Sequence, residues 1–184
     1  MIILIAYATV EGQTRKVATR MADTIEAAGH QVVLADLAEP GFAIPARYDA
    51  VILAAPIHLH RYPGAMVRFV QNWKSALMEK PCAIVTVSLA IHSDNAVERA
   101  EAEAYPELLA VETGWAPAIR HHAAGALKYL EYDFFKRWML RRIAAKEGGP
   151  VDTSRDHEFT DWAALDKFVM DFLAVAAKAA HPAP

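Results

Sequence analysis

The chain opens with an apolar run, Ile2-Ile3-Leu4-Ile5-Ala6, which leads directly into the stretch Tyr7-Ala8-Thr9-Val10-Glu11-Gly12-Gln13-Thr14. A segment with helical periodicity follows, so this stretch predicts a strand, a tight turn and the start of a helix. The first turn of a helix offers unpaired N–H groups and the positive end of the helix dipole, which together bind anions. Thr9 and Thr14 can add hydroxyl donors, and Gly12 allows close backbone approach. The stretch therefore predicts a phosphate site, with an ordinary capped turn as the alternative.

The spacing of this loop narrows the choice of ligand. Thr9-x-x-Gly12-x-Thr14 fits neither the Gly-x-Gly-x-x-Gly motif of dinucleotide-binding folds nor the P-loop motif, which disfavours a dinucleotide or ATP. It resembles instead the loop with which flavodoxins hold the single phosphate of FMN. The resemblance implies an FMN cofactor in contact with Thr9, Val10, Glu11, Gly12, Gln13 and Thr14.

Length and composition limit the class of protein. The 184 residues, 54% of them hydrophobic, predict one α/β domain with a packed core. A formal net charge of -3 gives no basic footprint for nucleic acid. No apolar run is long enough to span a membrane, and Met1 leads straight into a strand without a signal sequence, so we expect a cytoplasmic protein. The only cysteine, Cys82, is predicted to be a buried hydrophobic residue and not a nucleophile.

Strand and helix patterns alternate along the chain. Apolar strands are predicted at residues 2–6, 31–35, 50–55, 82–88 and 119–124, and helices at 14–28, from Gly64 onwards, at 96–104 and from Thr160 or Asp161 onwards. The helix after Gly64 is expected to bury Met66, Phe69, Val70, Trp73 and Leu77. Short connections demand right-handed crossovers and a doubly wound parallel sheet with helices on both faces. We expect five strands in the flavodoxin-like order 2-1-3-4-5, in one α/β domain over residues 1–176 with a frayed tail at 177–184.

A second specialised loop, Pro56-Ile57-His58-Leu59-His60-Arg61-Tyr62-Pro63, leaves the carboxyl end of the third strand. A flavin ring needs flat apolar walls and hydrogen-bond donors for its polar edge. Tyr62 or Leu59 is expected to form the wall, and N–H groups near Ile57 and His58 to meet the edge. Cofactor contacts are therefore predicted for Pro56, Ile57, His58, Leu59 and Tyr62. A polar surface loop is the alternative.

The charge of this loop bears on its chemistry. Basic surroundings favour the anionic form of a reduced flavin, and with it two-electron chemistry over one-electron carriage. His58 and His60 are the candidates for a catalytic acid or base, and Arg61 for a contact with substrate. His58-x-His60 and His121-His122 have no further ligands at suitable spacing, so no metal site is predicted.

The fourth predicted strand runs into Ser88, Leu89 and Ala90. In the expected fold the loop after this strand edges the flavin site, so these three residues are predicted to contact the cofactor through their backbone. An ordinary strand-to-helix turn is equally compatible with the sequence.

Residues 129–146 combine aromatic and basic side chains, among them Arg137, Trp138 and Arg141. On a helix beside a cofactor pocket, such residues could rest on an anionic membrane surface or pair with carboxylates of an apolar substrate. The alternative is a helix packed on the domain with its charges in water. Nucleic acid is a weaker candidate because the net charge is acidic.

The second half of the chain carries a further set of residues that plain flavodoxins lack. They are Trp115-x-Pro117, Gly125-Ala126-Leu127-x-Tyr129, Tyr132, Gly148-Gly149, Asp152-Thr153 and Thr160-Asp161-Trp162. With this set the whole chain resembles the menaquinone-dependent protoporphyrinogen IX dehydrogenases, a flavodoxin-like bacterial family. An insert, residues 126–158 here, sets that family apart. The chain departs from it in having His58-Leu59-His60 where the family usually has Arg-Tyr-Gly, and His92-Ser93-Asp94 where a basic pair is common.

The resemblance implies an enzyme of heme biosynthesis that oxidises protoporphyrinogen IX through FMN and reduces menaquinone or ubiquinone. It also implies a cytoplasmic protein peripheral to the inner face of the cell membrane, and it leaves open a homo-oligomer. Two other functions remain as alternatives. One is a flavodoxin that transfers electrons to a protein partner, and the other is a general NAD(P)H:quinone reductase, for which the chain has no second nucleotide motif.

Overall fold

Five parallel strands form the central sheet of the computed structural model, which describes residues 1–39, 41–42, 44–127 and 157–180. The strands are β1 (Ile2–Tyr7), β2 (Gln31–Asp36), β3 (Ala50–Pro56), β4 (Cys82–Ser88) and β5 (Ile119–Ala124). Their order is β2-β1-β3-β4-β5, and each neighbouring pair is parallel. The predicted order and the doubly wound architecture are confirmed.

The inner strands are buried on both faces, which explains their unbroken apolar sequences. Every residue of β4 is buried, as is every residue of β3 before Pro56. Alternate residues of β1 point to opposite faces, so that Leu4 belongs to one half of the core, and Ile3 and Ile5 to the other. The sheet thus divides the hydrophobic core into two layers.

Helices cover both layers. They are α1 (Gln13–Ala27), α2 (Gly64–Glu79), α3 (Ala96–Glu103), α4 (Tyr105–Thr113) and α5 (Trp162–Ala180). Helices α1 and α5 bury Met21 and Phe172 against one face, while α2 and α4 bury Phe69 and Leu109 against the other. The predicted starts of α1, α2 and α3 are confirmed to within a residue, and α5 begins directly after the predicted Asp161.

Two features of the helices differ from the sequence-based expectation. Trp73 was predicted to lie on the buried stripe of α2 but is 37% exposed, with its ring stacked on Phe69 at a centroid distance of 6.0 Å. Helix α4 was not predicted, because its apolar residues do not form one stripe: Leu109 is buried, whereas Val111 is 86% exposed. Pro106 in its first turn is the local start signal.

A second, small sheet joins the two ends of the predicted insert. Ala126–Leu127 (β6) pairs antiparallel with His157–Glu158 (β7). The N–H of Phe159 then donates to the carbonyl of Gly125 at 3.1 Å, which returns the chain to the end of β5. The insert therefore leaves and re-enters the domain at one place. Residues 128–156 lie outside the described part of the chain, and with them the predicted contacts Arg137, Trp138 and Arg141.

The carboxyl end of the chain is more ordered than expected. Helix α5 continues to Ala180, past the predicted domain boundary at residue 176, and residues 181–184 lie outside the described part.

No helix among the described residues is long and apolar enough to cross a bilayer. Cys82 is buried as predicted, and burial raises the pKa of its thiol to about 12, which makes it a poor nucleophile at neutral pH.

We expect acid to destabilise the fold through β5. The ring of His121 stacks on Phe168 at 4.9 Å, and burial, followed by the neighbouring His122, lowers its pKa; burial also lowers the pKa of His122. Below a pH of about 6.5, the ordinary pKa of histidine, the unfolded chain binds protons that the folded chain does not, so stability falls as pH falls. In urea unfolding between pH 7.5 and 5, His121→Phe should remove roughly half of this fall.

The control is His58→Gln, which changes an exposed histidine and should leave the slope as it is in the wild type. Carboxylates whose pKa is lowered, such as Asp36, titrate below this pH window. A His121→Phe protein with the full wild-type slope would contradict the assignment.

Candidate functional site

A cavity of about 420 Å³ opens at the carboxyl ends of β1, β3 and β4. Strands β1 and β3 are neighbours here, but the connections after them run to opposite sides, and this is where open α/β sheets bind ligands. The cavity is lined by Thr9, Val10, Glu11, Gln13, Thr14, Pro56, Ile57, His58, Leu59, His60, Val87, Ser88, Leu89, Ala90, Tyr105, Gly125 and Ala126. The structure thus brings the three predicted loops together, although Gly12, Arg61 and Tyr62 are not among the lining residues.

The first loop leaves the start of α1 open to a ligand. Gly12 has φ +81° and precedes the helix, whose first turn carries no side-chain cap. The N–H of Gly12 donates to the Thr9 hydroxyl oxygen at 3.0 Å, so the hydroxyl proton of Thr9 stays available to another acceptor. Gly12 therefore shapes the loop through its left-handed backbone, where a side chain would be strained. The uncapped N–H groups of the helix start fit an anion.

A chain of hydrogen bonds connects the side chain of Gln13 to the carboxyl end of β5. Its side-chain Nε2 donates to the Thr160 hydroxyl oxygen at 3.0 Å, and the Thr160 hydroxyl donates to the carbonyl of Ala124 at 2.7 Å. The hydroxyl proton of Thr160 is used in the bond to that carbonyl, so Thr160 can only accept a hydrogen bond from Gln13. The amide of Gln13 must therefore direct Nε2 towards Thr160, and its oxygen Oε1 points away from Thr160. This oxygen is buried, and the described residues give it no partner. A buried acceptor without a donor favours a ligand that supplies one.

The second loop contains a tight turn with two strained residues. His58 and Arg61 exchange backbone hydrogen bonds of 3.0 and 3.1 Å, and between them Leu59 and His60 have φ of 51° and 59°. Such a two-residue turn normally carries asparagine or glycine. The side chain of Leu59 is 81% exposed over the cavity mouth. Leu59 is therefore placed to form an apolar wall, as one of the two predicted alternatives.

The predicted donors of this loop are wrong. The N–H of Ile57 donates to Val87 at 2.9 Å, which continues the pairing of β3 with β4, and the N–H of His58 is used within the turn. Neither is available to a ligand. The pairing of the turn leaves out the N–H groups of Leu59 and His60, which have no backbone acceptor among the described residues and are the candidate donors of this loop.

The prediction that Tyr62 forms a wall of the site is also wrong. Its side chain is buried in the core layer beneath α2, and its hydroxyl lies 2.7 Å from the Thr86 hydroxyl. Burial raises the pKa of Tyr62 far above its ordinary value, so the phenol stays neutral. The side chain of Tyr62, which follows the turn, points into the core and not into the cavity. The sequence pattern does not reveal this direction.

The third loop contributes one more buried polar atom. The hydroxyl of Ser88 is buried without a partner among the described residues, while its carbonyl accepts from the N–H of Gly125 at 3.2 Å. After Leu89 the chain forms a short 3₁₀ turn at Ala90–His92. Because the carboxyl ends of parallel strands meet at one edge of the sheet, and because Gly125 and Ala126 directly follow β5, the sequence could have predicted both residues as part of the site.

Four lining residues were not predicted, namely Val87, Tyr105, Gly125 and Ala126, and Tyr105 is the one that contacts a predicted catalytic residue. It begins α4, which has no apolar stripe, and its hydroxyl lies 3.2 Å from Nδ1 of His60. Within the described ranges no three His, Cys, Asp or Glu side chains are grouped to hold a metal, and His121 and His122 lie in β5 opposite Val85 and Thr86, outside the cavity lining. The rim of the cavity instead carries His58, His60 and the adjoining Arg61, all exposed.

The fold and the cavity together define a protein of the flavodoxin-like class. An uncapped helix start suits a phosphate, the unpartnered oxygens of Gln13 and Ser88 suit a polar linker, and Pro56, Ile57 and Leu59 offer apolar surface. The family model described as "Flavodoxin domain" matches residues 4–154, and the chain belongs to this family. The fold implies a flavin cofactor.

Relatives over nearly the whole chain are enzymes. A protein of Leishmania major named protoporphyrinogen IX dehydrogenase [quinone] is 28% identical over 94% of this chain and 74% of its own length. A protein of Escherichia coli K12 with the same name is 28% identical over 91% of this chain and 92% of its own length. The predicted resemblance to this family is confirmed, as is the prediction of a flavodoxin-like oxidoreductase.

Solved structures support the fold. The oxidised flavodoxin 1 of Bacillus cereus superposes with a TM-score of 0.56 at 15% identity, covering 95% of this chain and 98% of its own. At that identity the likeness concerns the architecture alone.

We expect the strained turn to limit stability. A left-handed leucine costs about 1 kcal/mol or more, whereas asparagine accepts this conformation. Leu59→Asn loses little buried surface because Leu59 is exposed, so it should raise the free energy of unfolding by about 0.5–1 kcal/mol in urea titrations. The matched control is Leu108→Asn, an exposed leucine with helical backbone in α4, which should destabilise slightly. A loss of stability in Leu59→Asn would show that the turn is not strained.

Proposed function

We propose that the protein binds FMN in this cavity and oxidises protoporphyrinogen IX, passing the electrons to a membrane quinone. The observation that carries the proposal is the cavity at the β1/β3 crevice, with its open helix start and its two buried, unpartnered oxygens. Relatives with this activity in their names, which match over more than 90% of this chain, support the choice of substrate.

The phosphate of FMN fits the first loop. The N–H groups at the start of α1 and the hydroxyl of Thr9 donate to it, and the helix dipole adds to the attraction. Thr14 is buried beside them and lines the same cavity. Arg15 does not contribute, since its guanidinium is paired with Asp36 at 2.9 Å. Neutral donors thus carry most of this contact, as in other helix-terminal phosphate sites.

The sugar alcohol chain of FMN fits the two orphaned oxygens. Gln13 Oε1 accepts from a hydroxyl, and the Ser88 hydroxyl donates or accepts. Each would otherwise remain buried without a hydrogen bond, which costs about 1–3 kcal/mol. A ligand rich in hydroxyl groups between its phosphate and its ring removes both penalties.

The flavin ring fits the mouth of the cavity. Pro56, Ile57 and Leu59 provide apolar contact, and the free N–H groups of Leu59 and His60 can donate to its polar edge. When bound, FMN supplies a two-electron acceptor. His58, His60 and Arg61 surround this end with positive or protonatable groups, which stabilise negative charge on the reduced ring. That charge favours a two-electron enzyme over a one-electron carrier.

Substrate and acceptor would meet at the same mouth. Protoporphyrinogen IX is a large apolar macrocycle with two propionates, for which Arg61 is an exposed cation. The predicted contacts Arg137, Trp138 and Arg141 belong to the insert, whose two ends lie beside the cavity at Ala126 and β7. A quinone is dissolved in the bilayer, so we propose that the protein works on the cytoplasmic face of the membrane as a peripheral enzyme.

An anaerobic assay tests the activity. Purified protein is mixed with FMN, protoporphyrinogen IX and a water-soluble menaquinone analogue, and porphyrin fluorescence is followed. We expect turnover that depends on the quinone and on FMN, together with a single two-electron wave in a redox titration. Fluorescence at the uncatalysed rate would reject the activity. A stable neutral semiquinone with two separate potentials would favour the electron-transfer alternative, and rapid reduction of the flavin by NADPH would favour the general reductase.

A second experiment tests the FMN site itself. Thr160→Val keeps the shape of the side chain but removes the hydroxyl that fixes Gln13, so the dissociation constant for FMN should rise about tenfold, the equivalent of one good hydrogen bond. Thr160→Ser retains the hydroxyl and is the matched control, with affinity near the wild type. Flavin fluorescence quenching gives both constants. Wild-type affinity in Thr160→Val would mean that Gln13 does not contact the cofactor.

A further inference from the structure

The two histidines of the turn differ in what holds them. Both line the cavity and both are exposed. His60 Nδ1 lies 3.2 Å from the hydroxyl of Tyr105, whereas the described residues give the ring of His58 no such partner. His60 also has its backbone held at φ 59° by the hydrogen bonds that close the turn. The turn fixes the backbone of His60 and Tyr105 contacts its ring, so the orientation of this ring is restrained twice. The ring of His58 has no restraint of the second kind among the described residues.

Tyr105 is a firm anchor for this contact. It is only 5% exposed, it begins α4, and it belongs to the core layer that contains Met66 and Leu109. Burial, followed by the charge of Glu101, raises the pKa of its phenol, so the hydroxyl stays neutral over the physiological range. Glu101 of α3 is the charged group that acts on the phenol, and His58 and Arg61 are neighbours of His60 along the turn.

The residue type at position 60 also indicates that this side chain has a function. Glycine takes φ near +60° without strain, whereas histidine is strained in this conformation. Strained residues at a cavity rim are commonly those whose side chains are used. A histidine in this position, directed to a buried phenol, indicates a role for its imidazole.

We propose that His60 is the catalytic base of the oxidation and that Tyr105 is the residue that positions its ring. This inference rests on the proposed function. Over the whole oxidation, four C–H and two N–H bonds of the substrate are lost in three two-electron steps. In each step one C–H bond would break with its electron pair leaving as hydride, which bound FMN would accept. In two of the steps a pyrrole N–H bond also breaks, its electron pair stays on the substrate to form the new double bond, and the proton goes to Nε2 of His60; in the remaining step this proton comes from the last unoxidised meso carbon.

Tyr105 positions the ring through a hydrogen bond whose direction depends on the tautomer of His60. The proposal requires the direction in which Nδ1 carries the proton and donates to the phenol oxygen, because Nε2 then keeps its lone pair and can accept a proton. After the proton arrives, the Nδ1–H bond to Tyr105 persists, so the ring does not have to reorient. A carboxylate in this place could only accept from Nδ1, whereas a phenol can accept or donate, and the tautomer is therefore the observation that tests the positioning role.

Steady-state kinetics test the assignment. His60→Gln should lower kcat about 100-fold with KM little changed, because a general base contributes on that order. Tyr105→Phe should lower kcat about tenfold, and the double variant should be no slower than His60→Gln, since Tyr105 acts only through His60. The matched control is Tyr48→Phe, which removes a phenol hydroxyl near the amino end of β3, away from the cavity, and should keep the wild-type kcat. Additive losses in the double variant, or a wild-type kcat in Tyr105→Phe, would overturn the proposal.

A spectroscopic measurement is independent of turnover. With ¹⁵N-labelled histidine, long-range ¹H–¹⁵N correlation spectra report the tautomer of each ring, and the His60 signals are assigned by their loss in His60→Gln. We expect the Nδ1-protonated form in the wild type and a shift towards the Nε2-protonated form in Tyr105→Phe. Identical spectra would overturn the positioning role. Absence of wild-type turnover would reject the proposed function instead, while the spectra still decide whether Tyr105 orients His60.

Discussion

Strand β1 hydrogen-bonds in parallel with β2 on one side and β3 on the other, and the position of every functional loop follows from this double pairing. Parallel strands need crossovers, and the crossovers after β1 and β3 lie on opposite faces of the sheet. The loops that begin these crossovers separate at the carboxyl edge and leave a crevice between them. Two layers of apolar side chains hold the strands in this arrangement, so the crevice is a product of core packing and is not made by the loops themselves.

The loops add what the sheet cannot supply, namely polar groups without partners. Most buried donors and acceptors in a folded protein are satisfied. Here Gln13 Oε1 and the Ser88 hydroxyl are buried and have no partner within the described part of the chain, and both belong to residues that line one cavity. The hydrogen-bonded chain from Gln13 through Thr160 to Ala124 maintains this state, because it stops the amide from rotating to satisfy itself. It also connects the loop before α1 with the segment that follows the insert.

Strain is concentrated at the same rim. The left-handed Leu59 and His60 are the two non-glycine residues of positive φ among the described residues, and both line the cavity. Two backbone hydrogen bonds close the turn and hold both residues in this conformation, and the hydroxyl of Tyr105 also contacts the ring of His60. The protein thus gives up some stability for a rim whose apolar and basic groups have fixed positions.

The sequence by itself determined the architecture and the first loop. Apolar runs such as residues 50–55 and 82–88 identify buried parallel strands because both faces must be covered, and Thr9-x-x-Gly12-x-Thr14 identifies the tight turn before α1 because local backbone geometry makes it. Only the tertiary structure decided the rest of the site. Tyr62 turned inward, the N–H of Ile57 was taken by β4, and Tyr105 came to the cavity from a helix without an apolar stripe. Such outcomes depend on which distant groups meet, and neither periodicity nor spacing along a chain contains that information.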